Sequence, residues 1–198
     1  TAAMGPAFLA AGVTTIRDTG NDLQWILNLR AAHAANPAQG PQIICCGNLL
    51  DGSPANWPIG MGRAHVDEAA LRQSVREHAA AGVDQIKLYA RLDAKMLSAG
   101  AAEARLEHKY VLAHLGAGGK NLGAVNLPEA VAAGINEFEH FVGLETAWRD
   151  ASSEEEEAEI DELVAAQLAQ VPTLLVHTPL NFSLSVSLSL PPSLPPSL

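Results

Sequence analysis

The sequence predicts an α/β fold built on a parallel sheet, and two observations support this. First, alanines followed by a glycine and then a β-branched residue occur three times: LAAGVTTIRD at 9–18, AAAGVDQIKLY at 79–89 and VAAGINEFEHF at 131–141. Alanine favours helix, glycine commonly follows a helix end, and valine and isoleucine favour strands. Second, predicted helices and strands alternate between these junctions, which is typical of parallel sheets with helical connections.

Each predicted element follows from its local residues. Helices are predicted where alanine-rich or amphipathic stretches occur, at 22–36, 66–81, 93–108, 126–133 and 152–170. Gly100 weakens the third, and the glutamates that begin the last suit the helix dipole. Short apolar runs predict six strands, at 13–18, 41–47, 83–90, 109–116, 135–143 and 171–178. The Gly-, Pro- and Asn-rich connection at 48–65 predicts a long functional loop.

Six such strands fit either an open doubly wound sheet or part of a closed barrel. No G-x-G-x-x-G motif follows a strand, and GAGG at 116–119 lacks the rest of that dinucleotide-binding pattern. We therefore predict a partial TIM-type (β/α)8 barrel over residues 1–178. Residues 179–198 are a low-complexity Ser, Leu and Pro tail, and its Pro-Pro repeats predict disorder because proline cannot sit inside a sheet.

Composition excludes some classes of partner. The net charge is −10, which argues against binding to a nucleic-acid backbone. The sequence contains no run of eighteen consecutive apolar residues, so it does not predict a membrane span. Cys45 and Cys46 are adjacent, so on a strand they point to opposite faces and are predicted to be buried and reduced. The chain starts at Thr1 without a basic-then-apolar leader, so no compartment is specified and the cytoplasm is the default expectation.

Three polar residues follow one another at the predicted carboxyl ends of strands: Lys87, His114 and His140. Their spacing is one strand-plus-helix unit, and in a β/α barrel the carboxyl ends of the strands meet at one mouth, where active sites lie. Neutral histidine is a common ligand of divalent metals. A charged lysine cannot bind a cation, but a neutral one can react with carbon dioxide to form an anionic carbamate. Lys87 is therefore predicted to act as a carboxylate.

The motifs AAGVTTIRDTG, GPQIICCGNLLDG, AAGVDQIKLYA, LAHLG and EFEHFVGL resemble the amidohydrolase superfamily, in particular its prolidase-like and imidazolonepropionase-like branch. The resemblance covers roughly residues 4–178. It implies a β/α barrel with one or two divalent metal ions, usually zinc, that activate water to hydrolyse C–N bonds in dipeptide-like or cyclic amides. It further implies that carboxylated Lys87 bridges the metals and that His114 and His140 bind one of them.

Two elements of that family pattern have no counterpart in the sequence. The family's first strand carries His-x-His, and its eighth strand ends in an aspartate that serves as the general base; this sequence has neither, and no aspartate follows Asp161. The resemblance thus implies that the first and eighth strands are missing. We expect weak metal binding and no turnover, and an open barrel of this kind has exposed edges that favour self-association, such as a homo-oligomer.

Alternatives to this interpretation stay open. Lys87 could be a structural cation paired with a carboxylate such as Glu139, and the chain could be a catalytically dead fragment or binding protein that retains a half-site. An unrelated barrel enzyme could use Lys87 as a Schiff-base amine. His114 and His140 could each be core histidines bonded to backbone.

Other candidates have weaker roles. Tyr89 and His177 are weaker candidates for substrate contact, since Tyr89 shares the face of Lys87 and His177 ends a strand. Packing is an equal alternative for Tyr89, and a structural role is favoured for His177. Asp18 is predicted to cap its own loop. The remaining helical histidines are expected to face solvent: His33, His78 and His108.

Overall fold

The computed structural model describes residues 4–116, 125, 127–139 and 153–171. Eight strands occur in this part of the chain: β1 Thr15–Asp18, β2 Gln42–Cys45, β3 Leu49–Gly52, β4 Gly62–His65, β5 Gln85–Leu88, β6 Tyr110–Ala113, β7 Glu137–Glu139 and β8 Ala169–Val171. Six α-helices accompany them: α1 Met4–Ala10, α2 Leu23–Ala35, α3 Glu68–Ala81, α4 Ala94–Leu106, α5 Leu127–Ala133 and α6 Ser153–Ala165. The prediction of an α/β fold with a parallel sheet is confirmed, since every pairing between these strands is parallel.

The three repeated glycines have the helix-ending geometry that the sequence predicts. Gly12, Gly82 and Gly134 have φ angles of 82°, 88° and 75°, in the left-handed region that glycine enters without steric cost. At the starts of α2 and α3, the carboxylates of Asp22 and Asp67 accept hydrogen bonds from backbone N–H groups of the first turn. Local sequence therefore fixes where the helices start and stop.

The sequence analysis predicted that the segment 48–65 is a long loop, but the structure shows that only part of it is. It contains β3 and β4, which pair in parallel from Leu49 opposite Gly62 to Gly52 opposite His65. Only about nine residues connect them. The prediction was wrong because glycine, proline and asparagine dominate the segment, and the strand character of LLDG and GRAH depends on pairing rather than on local propensity.

Hydrogen bonds connect the strands in the order of a continuous sheet. The two named sheets are β1-β2 and β4-β3-β5-β6-β7-β8. The N–H of Asp84 donates to the carbonyl of Cys45 at 2.9 Å, so β2 also adjoins the start of β5, and β3 continues beside the end of β5. β2 and β3 thus lie on the same side of β5, one beside its start and the other beside its end. From there the strands follow chain order through β6, β7 and β8, while β1 borders β2 and β4 borders β3.

The sheet is strongly curved. Four interstrand gaps of about 4.8 Å would separate β1 from β7 by about 19 Å in a flat sheet. Yet the guanidinium of Arg17 on β1 binds the carboxylate of Glu137 on β7 through two hydrogen bonds of 2.9 and 2.5 Å. Two side chains cannot bridge the flat distance, so the sheet curls, and Arg17 and Glu137 lie on its concave side.

The apolar core lies between the other face of the sheet and the helices. Strand residues that alternate with the polar ones pack against buried residues of α3, α4 and α5, and Gly100 allows α4 to approach Leu71 and Leu88 closely. The main strand contributors are Ile43, Cys45, Leu50, Ile86, Leu88, Val111, Ala113 and Phe138. Cys45 and Cys46 are buried and not disulfide-bonded, as predicted. No helix among the described residues combines the length and apolar character needed to cross a bilayer.

Candidate functional site

A row of charged and aromatic side chains lies on the face of the sheet turned away from the helices. We call it the polar face and define it by Arg17, Lys87, Tyr89, His114, Glu137 and Glu139. Alternate residues of a strand share a face, and Lys87 and Glu137 both pair with Leu112 of the strand between them. Strand alternation therefore separates these polar side chains from the apolar core, although they neighbour it in sequence.

Lys87 lies near the carboxyl end of β5 and is almost completely buried. Its Nζ is 3.3 Å from Oε1 of Glu139, an ion pair between neighbouring strands of the curved sheet. The contact does not have the geometry of a hydrogen bond, since Glu139 Oε1 has no such partner among the described residues. Burial lowers the pKa of Lys87 and the negative charge of Glu139 opposes that change. The structure thus realises the pairing with Glu139 that the sequence left open.

His114 directly follows β6, beside the end of β5. Its backbone N–H donates to the carbonyl of Leu88 at 3.0 Å, which extends the pairing of the two strands by one residue. The imidazole stacks on the ring of Tyr89, with centroids 4.8 Å apart and planes inclined by 28°. Since Tyr89 is two residues beyond Lys87, all three side chains belong to the same end of the polar face.

The stack continues onto the segment between β3 and β4. The indole Nε1 of Trp57 donates a 2.8 Å hydrogen bond to the hydroxyl of Tyr89. Burial raises the pKa of Tyr89, so the phenol stays protonated. Trp57, Tyr89 and His114 therefore form a connected series of rings along the carboxyl ends of the strands.

Arg17 links the two acidic residues of β7. Besides its two bonds to Glu137, it lies 3.7 Å from Oε1 of Glu139. The hydrogen bond with Glu137 raises the pKa of Arg17. Both carboxylates are buried, so the sequence of charges Glu137, Arg17, Glu139 and Lys87 alternates in sign across the polar face. Sequence analysis did not single out Arg17 or Glu137, although their alternation with Ile16 and Phe138 is a signal of a polar face.

Two of the three predicted metal ligands can be placed. Lys87 and His114 lie on adjacent strands at the same end of the sheet. His140, like the possible substrate contact His177 and the tail 179–198, lies outside the described residues. Within the described ranges, no three His, Cys, Asp or Glu side chains converge in a way that could hold a metal ion.

Asp18 caps its own turn, as predicted. Its carboxylate accepts hydrogen bonds from the N–H of Gly20 at 3.2 Å and from the side-chain amide of Asn21 at 2.9 Å. Asp51, which sequence analysis did not single out, plays a similar but larger part on the segment after β3. It is fully buried, and its carboxylate accepts bonds from the backbone N–H groups of Gly52, Asn56 and Arg91.

The expectation that three histidines lie on helices and face solvent is wrong for His33 and His78, which are buried. His108 is exposed as expected, but it lies in a turn two residues beyond the end of α4. His33 is buried, and its Nδ1 bonds to the carbonyl of Pro41 at 2.9 Å. His78 is fully buried, and its ring bonds to the backbone of Asn48, just before β3. Both lie on the helix side turned towards the sheet, where a hydrogen bond to backbone satisfies a buried imidazole.

His65, Ser74 and His78 form a buried network that ties α3 to the strands. His78 Nδ1 bonds to the carbonyl of Ser74 at 2.8 Å, and its Nε2 accepts the N–H of Asn48 at 3.2 Å. His65 Nε2 bonds to the hydroxyl of Ser74 at 2.8 Å, and its Nδ1 bonds to the carbonyl of Asp51 at 2.9 Å. A ring nitrogen that accepts a hydrogen bond carries no proton. Since His78 Nε2 accepts one from Asn48, the imidazole of His78 is neutral in this arrangement.

We expect stability to fall as the pH drops from 7.5 to 5.5. Burial lowers the pKa of both His65 and His78 below the ordinary histidine value of about 6.5, which the unfolded chain retains. The unfolded state then binds more protons than the folded state, so the stabilisation present above that pH is lost progressively below it. Urea unfolding midpoints at the two pH values measure the effect.

The variant His78→Gln removes one of the two titrating groups and should show a smaller difference between the two midpoints. His108→Asn, at an exposed position, is the matched control and should keep the full difference. An unaltered chain whose midpoint is the same at both pH values would contradict the assignment of neutral imidazoles.

A surface cavity of about 710 Å³ lies at the opposite end of the strands, between α2 and the starts of β2 and β5. Its charged groups are already paired: Arg30 binds Asp84 at 2.8 Å and the carbonyl of Gly82 at 2.9 Å. It contains none of the residues of the polar face, so it does not contribute to the site at the carboxyl end.

Comparison with known proteins supports the fold. No protein-family model and no curated protein matches this chain. The crystal structure of an amidohydrolase superposes with a TM-score of 0.66, over 90% of this chain and 47% of that one, at 22% identity. A prolidase complexed with N-methylphosphonate-L-proline gives 0.64, over 87% and 45% of the two chains, at 22% identity. The ochratoxinase of A. niger gives 0.67, over 89% and 45%, at 18% identity.

This chain has the fold of part of these amidohydrolase structures. The comparison thereby confirms the predicted α/β fold with a parallel sheet, while the partial (β/α)8 barrel stays a prediction. The chain spans somewhat less than half the length of these amidohydrolase-fold structures. Its described strands supply a run of consecutive parallel strands, and its polar face is the concave side of that run.

Proposed function

We propose that this chain carries part of the site of a metal-dependent amidohydrolase, which hydrolyses C–N bonds in small dipeptide-like or cyclic amide substrates. The observation that carries the proposal is the position of Lys87: a buried amine on the polar face, at the carboxyl end of its strand, with His114 at the same end of the next strand. Structures of the same fold include a prolidase, a bottromycin amidohydrolase and a molinate hydrolase.

The chemistry of the side chains fits a metal site in part. Lys87 and His114 would be two ligands and His140 a third, around one or two divalent ions, with zinc favoured because imidazole and oxygen ligands suit it. A bound metal ion would activate water and polarise the amide carbonyl. Lys87 would contribute as a carbamate: the neutral amine nitrogen forms a bond to the carbon of CO₂, and one proton leaves to solvent. Burial promotes the neutral amine that this reaction needs.

Glu139 opposes carboxylation unless a cation is present. A carbamate on Lys87 would place a negative group beside the buried carboxylate of Glu139, and like charges at that distance repel. The ion pair seen here also favours the ammonium form of Lys87. We therefore propose that carbamate formation depends on a bound metal ion. The ion pair of Lys87 with Glu139 favours the alternative proposal, a half-site without catalytic activity.

We expect a carbamate carbon signal in the ¹³C NMR spectrum of the chain when both zinc and ¹³C-bicarbonate are present, and not with bicarbonate alone. Lys87→Gln should abolish the signal and lower the affinity for zinc at least about tenfold, because it removes one of the ligands. Equilibrium dialysis measures the affinity. Lys95→Gln is the control, since Lys95 is an exposed lysine that pairs with Glu68 on the surface.

Equal zinc affinity in the unaltered chain and in Lys87→Gln, without a carbamate signal, would contradict the metal assignment and leave the half-site as a structural ion pair. Turnover of an amide is a separate question. We expect none from this chain alone, because it contains neither the His-x-His motif nor the late aspartate of the family pattern.

The remaining expectations about partners follow from the same proposal. Tyr89 and His177 would contact a small amide or peptide substrate. The net charge of −10 does not favour nucleic acid. A homo-oligomer and a cytoplasmic location stay expectations from the sequence.

A further inference from the structure

Trp57 lies beside the proposed site, and the proposed function gives it no role. Its indole nitrogen is bonded to the hydroxyl of Tyr89, and the ring of Tyr89 stacks on His114, a proposed metal ligand. One phenol ring therefore separates the indole from the place where chemistry is proposed. A substrate group projecting from that place along the carboxyl ends of the strands would meet the indole.

The segment that carries Trp57 is held in place independently of the indole. The buried carboxylate of Asp51 accepts N–H groups from Asn56 at 2.7 Å and from Arg91 at 2.8 Å. The guanidinium Nε of Arg91 donates to the side-chain oxygen of Asn56 at 2.5 Å. These bonds tie the residue before Trp57 to the segment after β5. The position of Trp57 is thus set before any ligand binds, which reduces the entropic cost of a contact.

The surface that Trp57 presents is apolar. Its single polar atom is already bonded to Tyr89, yet 46% of the residue is exposed. Ile59, two residues further along the segment, is completely exposed. A ring with a satisfied nitrogen and a free carbon surface favours a planar apolar group, because aromatic rings gain from offset or edge-to-face contact in addition to the area they bury.

We propose that Trp57 is a specificity-determining residue that contacts an aromatic group on the amide substrate. This inference rests on the proposed function, because it takes the end of the polar face at Lys87 and His114 as the reaction centre. The substrate class is then a small amide that carries an aromatic ring.

The test compares two probes that differ only in that ring, N-benzoyl-L-proline and N-acetyl-L-proline, by isothermal titration calorimetry on the zinc-supplemented full chain. We expect the unaltered chain to bind the benzoyl probe about threefold to tenfold more tightly, as an aromatic pair contributes. Trp57→Ala should bring the ratio of the two affinities close to one, and Trp57→Phe should keep most of it. Trp25→Ala, at a comparably exposed tryptophan on α2, should leave the ratio unchanged.

An unchanged ratio in Trp57→Ala, an equal loss in Trp25→Ala, or no binding of either probe to the unaltered chain would overturn the inference. Thermal unfolding of Trp57→Ala checks that the variant folds. The variant Lys87→Gln separates the two proposals. If Lys87→Gln binds zinc as tightly as the unaltered chain does, and also keeps the preference for the benzoyl probe, only the proposed metal function fails. If zinc uptake depends on Lys87 while Trp57→Ala changes nothing, only the role of Trp57 fails.

Discussion

Replacement of Arg17 by methionine is expected to destabilise the chain by about 2–3 kcal/mol, below the range of about 3–5 kcal/mol for a fully buried ion pair, because the side chain of Arg17 is 26% exposed while that of Glu137 is buried. Methionine keeps an unbranched apolar side chain but removes the charge and both hydrogen bonds to Glu137. Two buried carboxylates, Glu137 and Glu139, would then lose the cation they share, and among the described residues Lys87 is the cation that stays paired with Glu139. Urea unfolding at pH 7 measures the loss of free energy.

The control is Arg63→Met, which removes a surface ion pair with Glu77. Both partners are about 40% exposed, so the expected loss is below about 1 kcal/mol. The double variant Arg17→Met with Glu137→Gln should recover part of the stability, since it neutralises one of the uncompensated carboxylates. A loss in Arg17→Met no larger than that of Arg63→Met would show that the pair does not support the curved sheet.

Replacement of Phe138 by alanine is expected to cost about 3–5 kcal/mol of unfolding free energy, because it leaves a cavity the size of a ring in a packed core. Phe138 is fully buried on the helix side of β7, between the two acidic residues of the polar face. A shift of β7 into the cavity would displace Glu139 from Lys87. We therefore also expect weaker zinc binding in the same variant, measured by dialysis alongside the unfolding experiment.

Leu106→Ala is the matched control for this substitution. Leu106 ends α4 and is 72% exposed, so its truncation should change stability by less than about 0.5 kcal/mol. If Phe138→Ala unfolds at the same urea concentration as Leu106→Ala, the core between the sheet and α5 is not packed as described here.

Much of the fold could be predicted because its signals are local. Gly12, Gly82 and Gly134 each need a left-handed backbone that other residues adopt at a cost, so the ends of three helices can be recognised from the sequence. The strand-end positions of Lys87 and His114 could be predicted in the same way, since a parallel strand followed by a helix repeats at a regular interval. Asp18 followed from the local hydrogen bonding of its turn.

The misassigned residues share a dependence on distant partners. β3 and β4 were not predicted because LLDG and GRAH become strands only when they pair with each other and with β5. His78 was expected in solvent because its neighbours on α3 are charged and small. In the structure it bonds to Asn48, thirty residues away. Neither the strand that pairs with LLDG nor the bonding partner of His78 can be identified from the few residues on either side of it.

The sequence by itself therefore determined the alternation of helices and strands, the direction of the strands and the end of the sheet at which Lys87 and His114 lie. Only the tertiary structure decided that Lys87 pairs with Glu139, that Arg17 reaches Glu137 across four interstrand gaps, and that Trp57 bonds to Tyr89. The physical reason is the curvature of the sheet. Which side chains meet on its concave face depends on how far it curls, and packing of the whole sheet against its helices sets that curl.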